Sequence, residues 1–329
     1  MKTKLQTTTR TPQSLMMRLR LRLYPHRRYL KWLRRVARWQ MQIPVNEFAQ
    51  WRFCRWVSLL TTDPDERVMW RMPETSLVLA LNLSETIPMH LYYRNAFQPE
   101  IVKWVHASLD TDALFVDAGA NIGIMSLIAA DVYRARIGDS SKPTIYAFEP
   151  NPGIFAELAE NIRCNHLETF ICAQPEALAE KNAAVPFHLS SQDNGTSSSL
   201  AAHDTADANP DNTIQVQAIA LTDFIRCTAE NRRVGLLKMD IEGAELLALR
   251  GAQEILLRDH PTIIMEIHPT RMRAFGYTLD DTRAFLSAFG YDIHRILPDG
   301  TLTTFSGDEW SAHNAYGDVI CIPHPRTTD

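Results

Sequence analysis

From residue 112 onward the chain alternates two patterns. Short, continuous apolar runs at 114–117, 144–148, 170–174, 235–239 and 262–267 are separated by stretches at 123–133, 152–164, 244–257 and 278–289 whose apolar residues recur every three or four positions. The runs read as strands buried on both faces, and the stretches between them as helices with one apolar side. This alternation predicts a doubly wound α/β fold with a largely parallel sheet. Two further runs, 291–296 and 317–322, have only a loop between them, which suits an antiparallel closure. Residues 184–221 hold strand-like pieces around a polar stretch at 190–212, whose Ser, Asp and Asn content marks a surface loop.

Upstream, residues 1–14 are Thr-rich and polar and read as disordered. Helical periodicity begins at 29–41, where Tyr29, Leu30, Leu33, Val36 and Ala37 share a stripe, with Trp32 at its border and arginines elsewhere. Such a helix either packs on its own domain with a solvated basic face, as structured extensions usually do, or lies on a membrane surface. A second helix is predicted at 47–60, with Phe48, Trp51, Trp56 and Leu59 as its apolar side, before the Asp-Pro-Asp at 63–65 breaks the chain. Residues 76–83 read as a buried strand, 88–93 as its partner, and 100–109 as a helix leading into the main domain. Tyr92, Tyr93 and Phe97 read as core aromatics, with capping of a ligand as the alternative. The resulting division is a basic segment over 1–46, partly disordered and partly helical, an extension over 47–111 that packs on the core, and a main domain over 112–329.

Charge changes this picture at the N-terminal end. The net charge of −4 conceals an asymmetry: residues 1–46 contain twelve Lys/Arg and no acid, while the other 22 Lys/Arg and all 38 Asp/Glu follow, leaving −16 on the remainder. A basic head on an acidic body points to an anionic contact for the head, whether lipid, nucleic acid or the body itself. The 45% apolar content allows a sizeable core and excludes wholesale disorder. The five cysteines (Cys54, Cys164, Cys172, Cys227 and Cys321) form no CxxC pair and read as buried, reduced thiols of a cytosolic protein. No metal motif is evident. No run of 18 apolar residues exists, so no membrane-spanning helix is expected. The head lacks the uninterrupted apolar core of a secretory signal, and its Arg-rich, acid-free composition keeps a mitochondrial transit peptide open. The expected location is cytoplasmic, with a membrane-peripheral placement through residues 1–46 left open.

The candidate chemistry sits at strand ends. In FVDAGANIG (115–123) an apolar strand ends at Asp117 and enters a glycine turn before a helix; Gly119 and Gly123, lacking side chains, would let a ligand approach the backbone. The spacing is not the dinucleotide GxGxxG. In AFEP (147–150) the next strand ends at Glu149, where a carboxylate can accept from both hydroxyls of a ribose. In KMDIEGAE (238–245) one strand end carries Asp240, Glu242 and Glu245, a density of negative charge that calls for a cationic partner; capping of the following helix accounts for Glu245. In MEIHP (265–269) the next strand delivers Glu266 and His268 to the same rim, where a histidine is a candidate base.

In this order and spacing DAGANIG, AFEP, the DNGTSSSL stretch (193–200), KMDIEGAE and MEIHP resemble the FkbM family of S-adenosylmethionine-dependent methyltransferases, over roughly residues 90–295. The resemblance implies a class I methyltransferase (Rossmann-like) sheet of seven strands with the last antiparallel, S-adenosyl-L-methionine as cofactor, and transfer to a hydroxyl oxygen of a sugar, polyketide or other small molecule. Carried over by position, Asp117, Gly119, Asn121 and Gly123 line the methionine and ribose end, and Glu149 holds the ribose hydroxyls. Glu176 faces the adenine, although its AQPEAL surroundings are a loose match. Asn194 and Ser198 line the site from the polar loop, and Asp240 and Glu242 lie by the transferred methyl. The long insertion at 201–213 and the basic head depart from the family pattern.

A hydroxyl is a weak nucleophile, and a base that takes its proton during attack contributes about 10²–10⁴-fold. Asp240 or His268 is the expected base, with Glu266 orienting His268. Three rivals were weighed. A nicotinamide-dependent oxidoreductase lacks its third glycine here, and the acids at 240–245 would repel a pyrophosphate. A non-catalytic adaptor on a membrane surface sits poorly with intact Asp117, Glu149 and Asp240. Nucleic-acid methylation finds no basic-aromatic reading surface in the acidic body.

Overall fold

The computed structural model describes residues 27–41, 47–62, 66–138, 142–189, 198–200, 212–304 and 316–325. Residues 1–14 and most of the polar loop, Asn194 included, lie outside the described residues. The N-terminal part forms α1 (Arg27–Gln40), α2 (Glu47–Thr61), β1 (Val68–Arg71), β2 (Val78–Leu81), α3 (Thr86–Arg94) and α4 (Pro99–Ser108). There follow β3 (Leu114–Ala118), α5 (Ile124–Ile137), β4 (Ile145–Phe148), α6 (Pro152–Cys164), β5 (Ile171–Gln174), β6 (Ala177–Leu178), β7 (Ala183–His188), β8 (Thr213–Ile219) and α7 (Leu221–Thr228). The C-terminal part contributes β9 (Val234–Met239), α8 (Glu245–Gly251), α9 (Gln253–Asp259), β10 (Thr262–Ile267), α10 (Pro269–Ala274), α11 (Leu279–Ala288), β11 (Tyr291–Ile296), β12 (Leu302–Thr304) and β13 (Gly317–Pro323). The chain divides into two compact units. One comprises Met1–Trp70 and Leu81–Phe97, the other Arg71–Ala80 and Gln98–Asp329.

In the smaller unit α1, α2 and α3 enclose a core of Ala37, Cys54, Val57, Met89 and Tyr93. Arg34 of α1 is buried because it is fully partnered: Nε donates to Thr61 Oγ1 at 2.9 Å, and Nη2 to Glu66 Oε2 at 2.6 Å. Residues 88–93, expected as a strand, are helical. Pro88 falls in the first turn, where its missing N–H breaks no intrahelical bond, and Asn95 ends the helix in the left-handed region with its N–H on Leu91 O. Tyr93 is a core aromatic, packed edge to face on Tyr92 with centroids 5.0 Å apart.

In the larger unit eight strands run in the order β12-β11-β13-β10-β9-β3-β4-β5. Strands β10, β9, β3, β4 and β5 are parallel, while β13 lies antiparallel between β10 and β11. The chain turns back at β3, whose neighbours are β4 on one side and β9 on the other, so ligands belong beyond the carboxyl ends of these strands. Apolar runs such as Leu114–Val116 and Leu236–Leu237 are buried on both faces as the helices cover the sheet. Strand β12 adds an edge that the seven-strand expectation lacks. Strands β6, β8 and β7 form a separate three-stranded sheet.

The apolar stretch 244–257, read as one helix, is two: Ala252 N–H donates to Leu249 O, a tight i to i−3 bond that closes α8 before α9 begins. The cysteines are all free, but only Cys54 and Cys321 are buried; Cys164 and Cys227, at the last turns of α6 and α7, are exposed. This corrects the expectation of five buried thiols. Among the described residues no helix is long and apolar enough to cross a membrane.

Helix α6 is tied to its surroundings by one buried amide. Asn161 Oδ1 accepts from Ala80 N–H at 2.8 Å, and its Nδ2 donates to Ile122 O, in the glycine turn, at 2.9 Å. Asn161→Leu strands both backbone groups. It is expected to cost roughly 2–4 kcal/mol in urea unfolding; a loss below 1 kcal/mol would show that these groups find other partners.

Candidate active site

Five of the sequence-predicted residues arise where β3 and β4 end. Asp117, the fourth residue of β3, is buried; its Oδ2 accepts from Ser126 Oγ of α5 at 2.7 Å, and its Oδ1 lies 3.3 Å from Lys238 Nζ. The turn that follows is held against β4 by the N–H groups of Gly119 and Ala120, both donating to Phe148 O. Glu149 is also buried. Its Oε2 accepts from Asn121 N–H at 3.1 Å and its Oε1 from Asn151 N–H at 2.9 Å. Each oxygen keeps a second lone pair for further hydroxyl donors. Burial pushes the Glu149 carboxyl up to about 7, against the pull of the two N–H donors and of Lys238.

The two glycines serve the protein's own packing. Gly119 has φ +73, and a Cβ there would lie 1.9 Å from the Asp240 carbonyl oxygen; at Gly123, φ +94, it would lie 2.6 Å from Leu158 Cδ1 of α6. To the reason read from sequence, access for a ligand, the structure adds a packing one: the missing side chains let β9 and α6 close on the turn.

Lys238 was missed by sequence reasoning, although a lone lysine in the apolar strand GLLKM is a visible signal. In register with Asp117, it projects from the same face. Its Nζ donates to Gly119 O at 2.9 Å and pairs with Asp117. Burial works against its charge, but Asp117 and Asp240 more than offset this and hold the ammonium above the ordinary lysine range.

Two residues on, Asp240 follows Lys238 on β9 and Glu266 follows Ile264 on β10, its neighbour in register, so both carboxylates leave the sheet on this face. Glu266 in turn stands opposite Asp318 of β13. Asp318 and the adjoining Tyr316 were not foreseen; the Tyr316 hydroxyl hydrogen-bonds the Glu266 carboxyl. Burial, then the charge of Asp240, pushes Glu266 up to about 9 and Asp318 up to about 7. Asp240 is the partly exposed member of the group.

The remaining predicted residues scatter. Glu242 forms an ion pair with Arg271 of α10, and its carbonyl accepts from Ser199 Oγ at 3.2 Å. Glu245 folds back, its Oε1 accepting from Ile241 and Gly243 N–H, and burial pushes it up to about 7. Ser198 Oγ accepts from Asn151 Nδ2 at 3.4 Å, which sets it beside the end of β4. Glu176 follows β5 at the sheet edge, with a buried Oε2 that has no hydrogen-bond partner among the described residues. His268 opens α10 and packs edge to face on Tyr316 at 5.3 Å; burial lowers its pKa, which favours the neutral ring. Among the described residues no hydrogen bond joins Glu266 to His268, so the expected orienting contact is absent, and Glu266 is engaged by Tyr316 instead.

A mainly parallel sheet whose last strand runs antiparallel, with carboxylates at the ends of β3, β4 and β9, defines a class I methyltransferase. The sequence model of the FkbM methyltransferase domain matches residues 117–293, more than half of the chain, and the chain belongs to this family. The match is to a methyltransferase domain. It is similar to Methyltransferase 1 of Beauveria bassiana (strain ARSEF 2860), 30% identical over 157 residues that make up 44% of this chain and 60% of that protein. The chain thus spans less than two thirds of that relative. Among solved structures, methyltransferase FkbM from Methylobacillus flagellatus KT aligns with 92% of this chain and 59% of its own, at 17% identity and a TM-score of 0.42. Precorrin-6y C5,15-methyltransferase from Geobacter metallireducens GS-15 aligns with 69% and 88%, at 12% identity and a TM-score of 0.36.

The residues present fit S-adenosylmethionine, the cofactor that the family implies. The rim carries Asp240, Glu266 and Asp318 beside Lys238, whose ammonium is already paired with Asp117, and Arg271, which is paired with Glu242 and lies 4.0 Å from Glu266; acidic side chains outnumber cations there, which suits a ligand that carries a sulfonium and an amino group. Glu149 retains acceptor capacity for ribose hydroxyls.

Two predictions follow from this arrangement. Lys238→Met leaves Asp117 buried without its cation and is expected to cost about 3–5 kcal/mol in urea unfolding. Adding Asp117→Asn should restore most of that loss; a double variant no more stable than the single would deny the pairing. The pH dependence has a definite sign. The folded protein holds protons on Glu149, Glu245, Asp318 and Glu266 at about 7, 7, 7 and 9, whereas the unfolded chain releases them in the ordinary carboxylate range. Their contribution is therefore complete at low pH and is lost as pH rises through those values, so the cofactor-free protein should lose stability from about pH 5 to pH 9. Glu266→Gln should flatten the upper half of this profile, and an unchanged slope would contradict its assignment.

Proposed function

We propose that this methyltransferase is an O-methyltransferase acting on a hydroxyl of a small molecule or glycan, with Asp240 as the base. The observation that carries this reading is the unequal environment of the three carboxylates at the ends of β9, β10 and β13. Three acids this close do not all ionise together. Glu266 and Asp318 are the buried ones: burial and then the charge of Asp240 push Glu266 up to about 9, against the pull of its bond to Tyr316, and Asp318 up to about 7. Asp240 is the partly exposed member, and in this reading it is the one that meets the acceptor.

The cofactor supplies an electrophilic methyl on a sulfonium, and displacement at that carbon requires the acceptor oxygen close and in line with the breaking bond. Asp240 takes the hydroxyl proton as the oxygen attacks, and Glu266, pushed up to about 9, keeps its proton and does not add to the repulsion between base and acceptor oxygen. Glu149 would hold the ribose, with Asn121 and Asn151 fixing its carboxylate through their backbone N–H groups. Asp117, Gly119 and Gly123 would act by shaping the turn, and Glu242 by its ion pair to Arg271. His268 is the second candidate base, since its lowered pKa leaves the ring free of a proton at neutral pH.

Asp240→Asn is expected to lower kcat by about 10²–10⁴-fold on a hydroxyl acceptor while S-adenosylhomocysteine, which lacks the positive sulfonium, binds with little change. His268→Ala should cost far less. The reverse ranking in single-turnover assays would transfer the base to His268, and full activity of both variants would sink base-assisted O-methylation.

A further inference from the structure

Helix α1 carries two apolar stripes, and the smaller unit uses only one. Leu30 and Ala37 turn inward with the partnered Arg34. Tyr29, Trp32 and Trp39, with Val36 between them, recur at intervals of three and four residues along another side of the helix. They are 50%, 53% and 64% exposed. Tyr29 and Trp32 stack on each other with centroids 5.6 Å apart, so the rings form a continuous surface. Lys31 and Arg35, on the same outward side, are exposed as well.

A row of large aromatic rings in water is unusual on a soluble surface and marks a contact site. The charge around it selects the partner. α1 contains no acidic residue, and it lies within the 46-residue segment that holds twelve Lys/Arg and no acid. Trp and Tyr favour the water–lipid boundary, where the ring is apolar and its N–H or O–H stays hydrated. Lysine and arginine on the same side lay their stems along apolar surface and extend their charges to headgroup phosphates and carboxylates. α1 is too short to cross a bilayer and is anchored inward by Arg34 to Thr61 and Glu66, which keeps the aromatic stripe outward.

We propose that the Tyr29–Trp32–Trp39 side of α1 docks this methyltransferase on an anionic lipid bilayer, the rings seated at headgroup level and the flanking cations on the lipid charges. The surface belongs to the smaller unit and the strand ends that carry the chemistry to the larger one, and the inference does not rest on the acceptor or on the identity of the base.

The test is sedimentation of the full chain with vesicles of phosphatidylcholine mixed with phosphatidylserine, against phosphatidylcholine alone, with tryptophan emission followed in parallel. The wild type should sediment with the anionic vesicles only and shift its emission to the blue, and salt should weaken binding. Trp32→Ser/Trp39→Ser should weaken binding by roughly tenfold. Both positions are exposed, so the variant should keep its thermal unfolding midpoint and its affinity for S-adenosylhomocysteine. Three outcomes would overturn the proposal: no binding to anionic vesicles, equal binding to neutral ones, or anionic binding that the double variant retains in full. A wild type that instead self-associates through these rings, with the variant monomeric, would assign the stripe to a second copy of the chain.

Discussion

The carboxyl-terminal rim of the sheet depends on the buried ammonium of Lys238. It neutralises Asp117, which no solvent reaches, and bonds the carbonyl of Gly119 in the turn that follows. One side chain from β9 thereby fixes the end of β3 and the start of the glycine turn. A buried ion pair of this kind adds little net stability, because both charges lose their hydration. Its effect is geometric: removal of either partner leaves a bare charge, so arrangements in which β3 and β9 slip past each other are strongly disfavoured. The backbone adds a second lock, since the Asp240 carbonyl occupies the space where a side chain at position 119 would lie.

With Lys238 committed to Asp117 and Arg271 to Glu242, the rim is left with more acids than cations. Glu149 and Glu245 have two backbone N–H donors each, yet burial still raises them; Glu266 and Asp318 have Asp240 beside them as well. Burial raises these four carboxyls, whereas Asp117, buried as deeply, has Lys238 as its partner. Such a surface is poorly matched to a phosphate and well matched to a sulfonium cofactor. The same imbalance separates residues of one type: burial and neighbouring acids push Glu266 up to about 9, while Glu149, held by two backbone N–H donors, is pushed up to about 7.

The two units deal with charge in opposite ways. The larger one buries carboxylates and shields them from one another by protonation. The smaller one buries Arg34 by giving its guanidinium Thr61 and Glu66, half-buries Arg38 against Asn95 and the Tyr92 ring, and leaves Lys31 and Arg35 exposed beside exposed rings. Each solution follows from what the chain offers locally, an acid-free segment in one case and a crowded strand rim in the other.

Much of the larger unit was legible because its strands are continuous apolar runs ending in an acid and a turn. That pattern alone located Asp117, Glu149 and Asp240 at the carboxyl end of a parallel sheet. Partnership across the sheet was not legible. Asp318 meets Glu266 only because β13 inserts antiparallel between β10 and β11, and nothing local to either residue encodes that pairing. The same limit hid the reason for Gly119, whose constraint comes from the carbonyl of Asp240 on another strand. At 88–93 the apolar content was read correctly as buried, but a short run does not distinguish strand from helix, and the packing of Met89 and Tyr93 against α1 and α2 decided it. In α1 the periodicity was read as one apolar stripe from Tyr29 to Ala37, and the structure splits it: Leu30 and Ala37 turn inward with Arg34, whose fit to Thr61 and Glu66 orients the helix, while Tyr29 faces out. The sequence by itself thus determined element type, the acid-bearing strand ends and the charge asymmetry, which are properties of neighbours along the chain. Only the tertiary structure decided which carboxylates share a site, which of them keep their protons and which aromatic face meets solvent, because each depends on groups brought together across the fold.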